Sequence, residues 1–224
     1  MANLAPIDER IAAQHLLRHP FYLAWTAGTL PRASLLEYTR QYFLFESNLP
    51  RYLTALHARS ENPRVRAALL ANAWDEEHGE KNHAELWLRF AAALGLSRGE
   101  VENATLRYAT RSLVDTYWAA ASEAPVEAGV AALYAYESQL PAVSESKMAG
   151  LERHYGVAGE AVTFFAVHRA IDVHHADAER EILKDVRVGD EVALEWTGRA
   201  LDAWWSFLDS FPTSLGQGVP RLGG

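Results

Sequence analysis

Apolar positions in this chain recur every three to four residues almost from end to end, and no convincing run alternates with period two. Such a pattern predicts helices that each bury one stripe, so the expected fold class is all-α. Asp8 is placed to cap a first helix running through Arg18, which His19-Pro20 ends because a residue before proline leaves the helical region. A short segment, FYLAWTAG, stops at Gly28. Pro31 opens a long helix, ASLLEYTRQYFLFESNL, which Pro50 bends or ends. Asn62-Pro63 starts another that passes Ala71, Trp74 and Glu76, and Gly79 loosens it before NHAELWLRFAAALG resumes. Ser97 and Glu100 have the S-x-x-E spacing of a capping box. Two more helices are expected near 107–122 and 126–154, the second interrupted by Pro141. Gly159 precedes a histidine-bearing helix to about Val186, and Gly189-Asp190 caps EVALEWTGRALDAWWSFLDSF. The expectation is a bundle of about seven to eight helices in one domain over residues 1–211, followed by a flexible tail over 212–224.

With 224 residues and 49 % apolar content, the chain is long enough for one helical domain with a large core. A net charge of −8 argues against nucleic acid or anionic membranes as partners. No cysteine is present, which removes disulfides, zinc-thiolate sites and a cysteine nucleophile together. No apolar run approaches the roughly 18–20 residues of a membrane span. The N-terminal stretch MANLAPIDERIAAQHLLRHP has no apolar segment of the signal-peptide kind, so a cytoplasmic location is expected.

The candidate chemistry lies in three histidines and three acids. His168, Asp172 and His175 fall at i, i+4 and i+7, within roughly 40–60° on one helical face. They sit in the apolar stretch FFAVHRAIDVHHAD, where burial of titratable groups is costly unless a cation satisfies them. His174 is rotated away and reads as a polar-face residue. Glu137 stands alone among Leu133, Tyr134, Tyr136 and Leu140, with an ion pair to Arg169 as the plain alternative. In DEEHGEKNH, Glu76 and His83 share a face if the helix is continuous, while Glu80 stands in E-x-x-H spacing to His83, so the two glutamates compete. A ferritin-like scheme would add Glu46 to Glu137. Three imidazoles and three carboxylates form the inventory of a non-haem di-iron or iron–manganese centre. Most of the tryptophans, including Trp25, Trp74, Trp87 and Trp204-Trp205, read as core. Haem on His15 or His19 is disfavoured by the acids expected in the pocket.

The order DEEHGEKNHAELWLRF, YAYESQLP and H-x-x-x-D-x-x-H resembles the haem-oxygenase-like di-metal oxidases, in the CADD-like para-aminobenzoate synthase subgroup named for the Chlamydia protein associating with death domains. The likeness spans about residues 8 to 210. It implies Glu76, His83, Glu137, His168, Asp172 and His175 as ligands of two metal ions, Fe/Fe or Mn/Fe, deciding for Glu76 over Glu80. It further implies O2 and an external reductant as co-reactants, a homodimer, and a self-sacrificing reaction. In that reaction Tyr22 of HPFYLAW supplies the aromatic ring and Lys147 of SESKMAGL donates the amine. The chain has only three lysines, Lys81, Lys147 and Lys184, so Lys147 is not background abundance, although a surface position beside Glu145 and Glu152 is its plain alternative. Tyr38, Tyr42 and Tyr136 are expected on core helices near the pocket, Tyr38 and Tyr136 foremost. The competing expectation keeps the metals but gives them an external small substrate, a fatty acid or amino acid.

Overall fold

The computed structural model describes residues 4–185 and 190–214. Among these the regular structure is helical. In order run α1 (Ala5–Ala13), α2 (Pro20–Ala27), α3 (Arg32–Arg59), α4 (Pro63–Glu77), α5 (His83–Ala93), α6 (Arg98–Glu102), α7 (Tyr108–Ser122), α8 (Val126–Glu137), α9 (Leu140–Gly150), α10 (Thr163–Asp185) and α11 (Asp190–Asp209). The all-α class holds, and the helix number exceeds the expected seven or eight because several expected continuous helices are broken. Val186, Gly189 and most of the 212–224 tail lie outside the described residues.

Helix α8 lies at the centre. Every residue from Ala128 to Glu137 is buried, as expected for a helix that is apolar all round. It packs against α11, α10, α7 and α3, while α10 also lies on α9, α4 and α5. The interior is rich in rings, among them Trp25, Trp87, Trp204, Tyr38, Tyr42 and Tyr136. Trp74 departs from the expected core role: it is 60 % exposed and stacks on His78 at 4.2 Å between ring centres.

Local chemistry explains the boundaries. Asn62 caps α4 and Ser97 with Glu100 forms the full capping box of α6. Asp8 is not a cap: α1 begins at Ala5 after Leu4, and Asp8 instead pairs with Arg180 at 2.7 Å, tying α1 to α10. Pro50 lies inside α3. It lacks the N–H that would bond the Glu46 carbonyl, so one helical hydrogen bond is missing there while α3 continues to Arg59. The expected continuity from Glu76 to His83 fails. Helix α4 stops at Glu77, Gly79 adopts φ 77°, and the Asn82 side chain caps α5 by accepting from the Glu85 N–H at 2.9 Å.

One close approach bears on the site. The Trp25 indole N–H donates to the Lys147 carbonyl at 3.2 Å, and a Cβ added at Gly150 would lie 2.6 Å from Trp25 Cδ1. Gly150→Ala is therefore expected to destabilise the protein by about 1–3 kcal/mol, measured by thermal denaturation.

Candidate metal centre

Seven buried side chains from five helices converge in two adjoining groups. Glu46 of α3, Glu76 of α4, and His83 and His168 of α5 and α10 form the first; Glu137 of α8 with Asp172 and His175 of α10 form the second. Within each group one potential ligand atom per residue lies within 4.8 Å of the others. All six residues expected from the sequence are brought together. Glu80 is not: it is exposed, whereas Glu76 is buried. His174 is exposed, as its rotation predicted. Arg169, the alternative partner of Glu137, pairs with Glu145 at 2.6 Å instead.

Glu76 and His83 meet by a route the sequence did not suggest. Glu76 stands in the last turn of α4 and His83 opens α5, so the intervening turn folds them towards each other. Glu76 Oε2 approaches His83 Nδ1 at 2.7 Å, yet neither atom has a hydrogen bond of acceptable geometry. The same holds throughout. Glu46 Oε1, Glu76 Oε2, His83 Nδ1, Glu137 Oε1, His168 Nε2, Asp172 Oδ2 and His175 Nδ1 are all buried and unpaired. One orphaned atom from each of seven converging acids and imidazoles is the arrangement a pair of cations would satisfy, and it would otherwise cost several kcal/mol. The donor set, oxygen and imidazole nitrogen without sulfur, suits iron or manganese.

Outer contacts set the free atoms. His168 Nδ1 lies 2.8 Å from the Phe164 carbonyl, so that nitrogen donates and Nε2 is left to ligate. His175 Nε2 lies 3.1 Å from Asp75 Oδ2, which turns Nδ1 towards Glu137 and Asp172 at 3.7 and 3.4 Å. Asn72 Nδ2 donates to Glu137 Oε2 at 2.9 Å, and the Tyr42 hydroxyl donates to Glu46 Oε2 at 2.9 Å. Burial pushes the Glu46, Glu76 and Glu137 carboxyls each up to about 8, and raises Asp172 as well. Burial lowers His83 and His168, which stay neutral. Without a cation these carboxyls hold protons near neutrality, and cation binding must release them. Cation affinity is therefore expected to fall as pH drops through about 8 and to level off above it, measured by chelator competition.

A second buried cluster, of Lys147 and aromatic rings, adjoins the first group. Lys147 is not a surface residue: it is 3 % exposed and donates to the Tyr38 hydroxyl at 2.8 Å. Its Nζ lies 5.2–5.4 Å from the ring centres of Tyr22, Tyr38, Tyr42 and Phe165. This setting lowers its pKa to about 7, chiefly by burial, with the Glu46 charge opposing. The Tyr22 hydroxyl meets that of Tyr38 at 3.4 Å, and burial holds the Tyr22 phenol well above its usual range. Tyr42 links this cluster to the ligands, contacting Glu46 and, at 2.6 Å, the Tyr136 hydroxyl. Tyr136 stacks on Trp204 at 4.4 Å.

Sequence reasoning gave Glu46 only as part of a ferritin-like scheme, and missed Asn72, Asp75 and Glu179. A lone carboxylate one turn after Tyr42 in an apolar run was the available signal for Glu46. His15 and His19 are used as caps: their Nδ1 atoms accept from the Leu17 and Phe21 N–H groups, and His19 Nε2 meets Asp209 at 3.1 Å. Among the described residues no helix is long and apolar enough to cross a membrane.

Comparison with known proteins shows the family. Residues 36–205 match the family described as iron-containing redox enzyme. The chain is 40 % identical over 216 residues to a 4-aminobenzoate synthase of Nitrosomonas europaea, covering 91 % of this chain and 88 % of that one. It is 37 % identical over 210 residues to a 4-aminobenzoate synthase of Chlamydia pneumoniae, covering 93 % and 94 %. A heme oxygenase-like domain from Shewanella denitrificans superposes with TM-score 0.80 at 16 % identity, covering 93 % of this chain and 91 % of that one. A CADD-like protein of unknown function from Nostoc punctiforme does so at 0.65 and 16 %, covering 90 % and 94 %; both likenesses concern fold. By sequence, the chain belongs to the iron-containing redox enzyme family, with 4-aminobenzoate synthases among its relatives.

Proposed function

We propose that this protein makes 4-aminobenzoate by excising the side chain of its own Tyr22, with Lys147 as amine donor. The names of its relatives support the product. The observation that carries the rest is the shared enclosure of the Tyr22 ring and the Lys147 amine, joined through the Tyr38 hydroxyl, beside Glu46. The proposed ligands are Glu76, His83 and His168, with Glu46 beside them, for one ion, and Glu137, Asp172 and His175 for the other. Either Fe/Fe or Mn/Fe satisfies this donor set. When bound, the metal pair supplies oxidising power drawn from O2 with electrons from an external reductant.

The protein side chains supply the rest. Breaking the Cα–Cβ bond of Tyr22 leaves the ring with one attached carbon, which is oxidised to the carboxyl group. The oxidised ring presents its oxygen-bearing carbon as a carbonyl, which condenses with the Lys147 amine and loses that oxygen as water. The ring regains aromaticity at the expense of Lys147 Cε, and hydrolysis of the Cε–Nζ bond frees the product and leaves Cε as an aldehyde. Such a replacement needs an amine with a free lone pair, and a Lys147 pKa near 7 leaves a large share neutral at physiological pH. Tyr38 holds the amine and the Tyr22 hydroxyl in one hydrogen-bonded line. The ring-lined walls exclude water that would compete with the amine.

Complementation of a para-aminobenzoate auxotroph tests the proposal. Wild-type protein is expected to restore growth. Lys147→Arg is expected to fail, because a guanidinium stays charged and cannot donate a neutral amine. Growth with Lys147→Arg at the wild-type rate would remove Lys147 from the reaction. Sustained turnover of an added fatty acid or amino acid, with Tyr22 intact by mass spectrometry, would favour an external substrate instead.

A further inference from the structure

Glu179 is a buried acid that the proposed reaction does not use. It lies four residues after His175 and seven after Asp172, so it continues the same stripe of α10 one turn further. Its side chain is 3 % exposed, and both carboxylate oxygens lack any hydrogen-bond partner. Leaving such a group unpaired in the interior is costly, so the Glu179 carboxylate points to a cation as its partner.

Glu179 also lines a cleft. A cavity of about 170 Å³ lies between α4 and α10, walled by Asn72, Asp75, His174, His175 and Glu179. His174 is exposed and the Asp75 side chain is 38 % exposed, whereas His175 and Glu179 are buried. The cleft thus runs from solvent to the second ligand group, its oxygen and imidazole donors set among Ala68, Leu69, Ala71, Ala178 and Ile182. A separate cavity, bordered by Glu46, Pro50, Glu76 and Asn82, reaches the first group.

We propose that the cleft between α4 and α10 is the loading route for the cation of the Glu137, Asp172 and His175 group, with Glu179 as a transfer ligand that hands it inward. This rests on the two-cation reading above. A hydrated divalent cation entering an apolar interior must lose water in stages, and each lost water needs a replacement donor. Asp75 and His174 meet the ion at the rim, and Glu179 holds it one helical turn short of His175. The other group fills through its own cleft and does not depend on Glu179.

The test uses the metal-free full-length chain and Mn(II), followed by loss of the free-ion electron paramagnetic resonance signal after rapid mixing. Wild-type protein is expected to take up two ions. Glu179→Gln keeps the shape and removes the charge; it is expected to slow one of the two uptake phases about tenfold while leaving the final stoichiometry unchanged. Ala71→Trp, at the exposed rim of the same cleft, is expected to slow the same phase, and it serves as the second variant should Glu179→Gln fold poorly. Uptake by both variants at the wild-type rate would overturn the route. A final stoichiometry of one ion in Glu179→Gln would overturn it too, by making Glu179 a resident ligand. If the wild-type chain takes up no ion, the two-cation reading itself fails, and the route with it.

Discussion

Tyr22→Phe is expected to bind metal as the wild type does and to release no 4-aminobenzoate. The substitution removes one hydroxyl and its 3.4 Å contact with Tyr38, and no proposed ligand is among the groups that hydroxyl bonds. Phe keeps the ring among Phe21, Trp25 and the Lys147 amine, so packing changes little. The reaction, by contrast, exchanges the phenol oxygen for nitrogen, and a phenyl ring offers nothing to exchange. Mass spectrometry of the chain after exposure to O2 and reductant gives the independent readout. Wild-type protein should lose the Tyr22 ring with its Cβ, at most once per chain. The Phe variant should keep its full mass. Product at wild-type yield from Tyr22→Phe would end the self-sacrifice account while leaving the metal centre untouched.

The second large effect is expected from His168→Ala. His168 supplies the unpaired Nε2 of the first group, and its Nδ1 is tied to the Phe164 carbonyl. Its removal leaves Glu46, Glu76 and His83 with one imidazole where two had stood. Loss of even an outer contact typically costs 10–100-fold in metal affinity, and loss of a ligand costs more. Metal content is therefore expected to fall to about one equivalent or less, and O2 consumption to vanish. The variant should still fold, because Phe164 loses its 4.1 Å ring contact with His168 but keeps those with Trp87 and Phe165. Elemental analysis beside circular dichroism separates the two. Full metal content in a folded His168→Ala protein would remove this residue from the ligand set.

How much of the site was legible in the sequence depends on how locally each part is determined. His168, Asp172 and His175 share one uninterrupted helix, so the period of 3.6 residues alone placed them together. Glu137 was legible because a carboxylate within a wholly apolar helix must be buried, and a buried carboxylate needs a partner. Glu76 and His83 were grouped correctly but for a wrong reason, since the helix breaks at Gly79 and the turn, not the helical face, joins them. Glu46 and Lys147 were harder. The residues flanking Lys147 mix buried and exposed positions as any amphipathic helix does, whereas those flanking Glu46 are all buried or half-buried. Only the packing of α3 and α9 around α8, α10 and α2 turns those two side chains inward. The Lys147 burial could not be read from SESKMAGL, where neighbouring Glu145 and Ser146 suggest a solvated face. Trp74 misled in the opposite sense: a large ring reads as core, yet its position on α4 leaves it to stack on His78.

The account stands most directly on the positions of two ions. Anomalous X-ray diffraction from crystals of the metal-loaded protein, recorded across the iron and manganese edges, locates each ion and identifies it. Two peaks are predicted, one bounded by Glu46, Glu76, His83 and His168 and the other by Glu137, Asp172 and His175. Loaded crystals with no peak there, or with the ions held elsewhere on the chain, would contradict it.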